Sequence, residues 1–290
     1  MSGTPEIPAW LREAAASTQH VSEAMRRTIA VQIDPGAIAN IARVVEQYQV
    51  VSPSLQQTIA SIQANRQVIE SIQQLWRRYA PDNWHDLQLD EPAIVDFVEE
   101  SGIPIVWVPR AAIIEAMVAS DARTRYEVLV ASTDDVLEDL ETVLDQARGV
   151  DIDGHTDACE FAGEAIAAAC DGHWTGAQTL AASGVGQVIH GMFGYPVLGG
   201  LGAARKKFRE RDIEESTMMV LKAALLEVCT VKTLTDIPRA DLEGFNRHGT
   251  QHGDRRFFSQ ANALGGLLLL VGWIREFAWL NENGLLKADE

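Results

Sequence analysis

A chain of 290 residues with 47% hydrophobic and 22% charged side chains has the balance of a globular protein and excludes a disordered one. The formal charge of −17 argues at first against nucleic acid as a partner. Its placement reverses that argument, because residues 85–171 hold 4 basic and 21 acidic side chains while the flanking segments are each balanced.

The opening Met1-Ser2-Gly3-Thr4-Pro5-Glu6 has no basic flank and no apolar signal core, so a cytoplasmic location is expected. Asp34-Pro35 and Ser52-Pro53 each set a capping side chain before a proline at the first helical position. The spacing predicts helices over 8–31, 35–49 and 52–79, the last with Leu55, Ile59, Ile62, Ile69, Ile72 and Trp76 on an apolar face. Residues 1–84 are therefore expected to form an N-terminal helical bundle.

Pro81-Asp82-Asn83-Trp84 breaks the pattern, and a helix is predicted over 91–100. Gly102 to Pro109 is an apolar run bounded by Gly and Pro, expected as a buried extended linker, so 85–109 is taken as a connecting region. From Arg110 helical periods dominate: 110–119, 121–131, 134–148, 155–171, 173–192, 205–231 and 259–281. The fold class expected is all-α, with 110–290 as a second helical domain. Ala261 to Ile274 is apolar but too short to span a bilayer, so no membrane span is expected.

Cys159, Cys170 and Cys229 are an odd number without a CxxC pair, which reads as buried reduced thiols. Cys159 and Cys170 lie three turns apart and are expected together in the core. His20, His85, His155, His173 and His190 are scattered and read as helix-end or surface residues. The run Asp134-Asp135 to Glu138-Asp139 and Glu141 reads as a solvated helix start, or, within 134–145, as a contact surface for a basic protein.

There is no GxxxxGK[ST] loop, no GxSxG elbow and no HExxH, and Gly184-Val185-Gly186 lacks the third glycine of a dinucleotide fingerprint. No cofactor or metal is therefore expected. What remains as chemistry is Asn246-Arg247-His248-Gly249-Thr250-Gln251-His252-Gly253. Histidine suits proton transfer near neutral pH, and arginine is always cationic with a planar fork of donors for phosphate. Five residues apart, Arg247 and His252 stand about 140° apart on an ideal helix, poorly aimed at one phosphate.

The segment resembles the Arg-x4-His motif of the HEPN superfamily, carried by Arg247 and His252 in a helical context within the C-terminal half. Proteins of that superfamily are all-α domains that often act as metal-independent endoribonucleases in toxins and phage defence. The resemblance implies an RNA-cleaving homodimer with His252 as acid and base and Arg247 as phosphate clamp. Asn246 and His248 would be supporting contacts, with Glu164 and Asp171 candidates for an acidic partner. The alternative expectation is a non-catalytic helical adaptor using the acidic surface.

Overall fold

The computed structural model describes residues 79–89, 91–150, 154–193 and 244–284, with Lys222, Leu225, Leu226, 228–230 and Thr233 between them. The chain divides into two compact units, Met1–Tyr79 and Ala80–Glu290. The helices expected at 8–31, 35–49 and 52–79 lie outside the described residues, and the 85–109 segment lies within the second unit.

Among the described residues every regular element is helical and none is a strand, so the all-α expectation holds. In chain order the helices are α1 (Glu91–Ser101), α2 (Ala111–Val118), α3 (Thr124–Ala131), α4 (Thr133–Ala147), α5 (His155–Cys170), α6 (Trp174–Phe193), α7 (Arg247–Gln251) and α8 (Gln260–Glu282). Helical residues at Lys222, Leu225, Leu226 and 228–230 fall inside the predicted 205–231 element.

Heptad-like spacing explains α4, where Val136, Leu137, Leu140, Leu144 and Ala147 turn one face inward. In α5 the buried face is small: Ala158, Cys159, Ala162, Ala165 and Ala169. It packs against α6, whose buried residues include the equally small Ala177, Ala181 and Ala182. Helix α8 is apolar on all sides and lies at the centre, packed against α3, α4, α5 and α6. It is long and apolar enough to cross a membrane, with mean hydropathy 1.5, yet neighbouring residues bury all of that stretch. Ser259 starts it by accepting a hydrogen bond from the Asn262 amide at 3.1 Å.

One expectation needs correction. Cys170 is exposed rather than core, because as the last residue of α5 it stands at the turn into α6, while Cys159 and Cys229 are buried. His155 is a helix-end residue as expected, the first of α5, and is only 2% exposed. Gly184 and Gly186 sit inside α6, within the predicted 173–192 span. The 102–109 run is buried and strand-free as expected, but Trp107 adopts φ 74°, a left-handed conformation that a bulky side chain rarely takes.

Candidate functional site

The motif is built at the junction of α6, α7 and the start of α8. Asn246 has extended backbone and caps α7, its Oδ1 accepting from the Gly249 amide at 2.6 Å. Thr250 Oγ1 donates to the Asn246 carbonyl at 2.8 Å, and the His248 amide donates to the Thr233 carbonyl at 3.2 Å. After Gln251 the helix stops, and Gly253 at φ 68° turns the chain.

Gln178, wholly buried in α6, fastens this segment from below. Its Nε2 donates to Thr250 Oγ1 at 2.7 Å and to the Phe257 carbonyl at 2.8 Å, and its Oε1 accepts from the Ser259 amide at 3.3 Å. Phe257 in turn lies against Gly249, so close that a Cβ there would stand 2.3 Å from the ring.

Arg247 leaves this platform toward α6. Its Nε donates to the Ala182 carbonyl at 2.8 Å, and its guanidinium lies over Gly186, where a Cβ would come within 2.3 Å of Nη2. Burial lowers its pKa from the ordinary arginine value. The two terminal nitrogens have no acceptor among the described residues, and neither is sealed from solvent. No carboxylate of the described residues pairs with Arg247, and Glu164 and Asp171 are exposed on α5 and just beyond it.

His252 takes another direction. Its ring meets that of His248 edge to face with centroids 4.3 Å apart, and both side chains are exposed. The structure thus joins His252 to His248 and Arg247 to α6, rather than Arg247 to His252. Arg255, exposed three residues on, has no ion pair among the described residues, whereas Arg256 is tied to Asp254. The exposed edge of the motif is therefore rich in imidazole and guanidinium.

Sequence reasoning missed a second polar cluster. Lys222 and Glu276 are both fully buried, with Nζ 3.0 Å from Oε2. Trp107 Nε1 donates to the same oxygen at 2.8 Å. The ammonium sits 3.5 Å from the Trp279 ring centroid and 4.6 Å from that of Trp107. Burial pushes the lysine pKa down, and the Glu276 carboxylate opposes that. The signal available was Arg275-Glu276 inside an apolar helix, where charges must find partners.

The acidic stretch 134–145 is partly neutralised within the chain. Arg110 bonds Asp139 through its amide and Nε at 2.8–3.0 Å, and reaches Asp135 at 3.0 Å and Glu138 at 2.6 Å. Those bonds, Asp139 first, raise the arginine pKa above its ordinary value.

No protein family matches the chain, and no curated protein or solved structure does either. The likeness to the HEPN motif stands on residues 246–253 alone.

Proposed function

We propose that the chain is a metal-independent endoribonuclease that works as a homodimer, with His252 moving the proton and Arg247 holding the phosphate. The observation that carries this reading is the state of Arg247: one edge pinned to Ala182, half-buried, with its terminal donors open. A guanidinium fixed in this way offers a pre-oriented fork to a phosphate at little further entropic cost. The adjoining exposed pair of imidazoles supplies ring nitrogens that can accept and donate a proton, as 2′-hydroxyl attack and 5′-oxygen departure require.

Because Arg247 and His252 take different directions within one chain, the reading needs a second copy to complete the site. His248, edge-on to His252, then serves to position that ring. RNA is the expected substrate class, and no metal enters the proposed chemistry.

The test is cleavage of a structured RNA by the purified chain in the presence of a chelator. His252→Ala is expected to lower the rate about 10²–10⁴-fold, the usual contribution of a general acid or base. Arg247→Ala should be similarly inactive, and mixing the two inactive variants should restore part of the activity. Full activity in either variant, or no recovery on mixing, would remove the two-copy site.

A further inference from the structure

Sequence patterns reveal metal centres through three or four ligands, and a pair of imidazoles escapes them. No group of three or more His, Cys, Asp or Glu side chains is placed to hold an ion among the described residues. Two histidines held side by side make a smaller site. We infer that His248 and His252 chelate one divalent transition-metal ion of the copper, nickel or zinc class, with water in its remaining positions.

The first support is where the rings stand. The His252 amide donates to the His248 carbonyl at 3.1 Å, so the two residues lie one helical turn apart on the same side of α7. Their ring centroids are 4.3 Å apart, with the planes at 70°. Two imidazoles on one ion, with metal–nitrogen bonds of about 2.0–2.1 Å, have ring centres roughly 4.5–5 Å apart. Rotation of one side chain about its χ angles covers that difference. Both rings are exposed, and neither makes a hydrogen bond or an ion pair with a described residue. An ion therefore reaches them without breaking an existing bond.

The second support is the backbone that carries the rings. Asn246 caps α7, the His248 amide is tied to the Thr233 carbonyl, and Gln178 grips Thr250 between the two histidines. The Asp254 amide then returns to the Gly249 carbonyl at 3.0 Å. Both ligands are thus positioned before an ion arrives, and chelation costs mainly the rotamer freedom of two side chains.

The surroundings choose the ion. Asp254, the carboxylate two residues beyond His252, is held by Arg256, and the exposed Arg255 adds positive charge. Magnesium and calcium need oxygen donors, which this face does not offer, whereas imidazole nitrogen suits copper, nickel and zinc, with copper(II) the tightest. An ion on His252 takes the electron pair that would accept the 2′-hydroxyl proton. On the ribonuclease reading above, on which this consequence alone rests, the ion silences cleavage and a chelator restores it.

The experiment is titration of the full chain with copper(II) in the absence of RNA, followed by electron paramagnetic resonance. The expected signal is one copper per chain coupled to two ring nitrogens, undisturbed by excess magnesium. His248→Asn and His252→Asn, both at exposed positions, should each weaken binding at least tenfold. His173→Asn, at an exposed histidine elsewhere, should leave it unchanged. Undiminished binding in either of the first two variants, or coupling to a single nitrogen, would overturn the site. Cleavage of RNA with and without copper keeps the two readings apart. A chain that holds copper and cleaves no RNA removes the ribonuclease and leaves the metal site standing, while one that cleaves RNA and holds no copper removes the metal site alone.

Discussion

At Gly186 a missing Cβ and a guanidinium occupy the same space, and the consequence can be measured. Gly186→Ala improves helix propensity by about 1 kcal/mol but pushes Arg247 off the Ala182 carbonyl. The expected outcome is an unchanged or higher Tm with RNA cleavage reduced as far as in Arg247→Ala. Retained cleavage would mean that the pinned geometry of Arg247 has no part in activity. Lys222 shows the opposite coupling. Lys222→Ala leaves Glu276 buried without its counter-charge and should cost about 3–5 kcal/mol in denaturant unfolding. Lys222→Met with Glu276→Gln should recover most of that loss, because a neutral pair of similar shape avoids burying charge and the substituted glutamine keeps an oxygen for Trp107 Nε1. Thiol chemistry provides a third check. Burial holds Cys159 at about 11, while Cys170 is exposed and raised by partial desolvation and by Glu141 and Asp171. Alkylation at pH 8 should therefore label Cys170 well before Cys159, and equal rates would contradict the burial of Cys159.

Among the elements, the helices were legible because apolar spacing and capping act locally. Thr133–Ala147 and Gln260–Glu282 fall within a residue or two of the predicted spans. Ser259 before an apolar run is the same kind of signal, and Ser259→Ala should lower stability by about 1 kcal/mol. The partners of the motif were not legible. Gln178 reads as one polar residue on a weakly amphipathic helix, and nothing local says that it is wholly buried and bonded to residues 72–81 positions away. Gln178→Leu should deprive the Ser259 amide of its acceptor and the Phe257 carbonyl of one of its two donors, Asn262 Nδ2 remaining, and cost about 1–3 kcal/mol. Amide exchange should quicken over 246–258 more than in α4. Uniform quickening would show that Gln178 supports the whole bundle rather than this segment. The identity of Asn246, Arg247, His248 and His252 was plain in the sequence, while the divergence of Arg247 from His252 depends on α6 and could not be read from spacing.

For the whole unit, composition indicated a large core but not which groups would meet inside it. Trp107 and Glu276 are 169 positions apart and bonded at 2.8 Å, a pairing that no periodicity encodes. The acidic surplus of the middle third was plain in the sequence, yet Arg110, at the end of the non-helical run, pairs with three of its carboxylates, Asp135, Glu138 and Asp139. That leaves less unpaired charge along 134–145 than a count of residues suggests. The central position of α8 has a further implication for how the protein is made. Synthesis runs from the N-terminus, so α8 is the last of the described helices to leave the ribosome. Until it does, α3, α4, α5 and α6 have no central partner, and the apolar faces they turn toward it stay uncovered. The nascent chain must hold those faces apart from other proteins, by chaperones or by transient non-native pairing, and the unit can close only when α8 arrives.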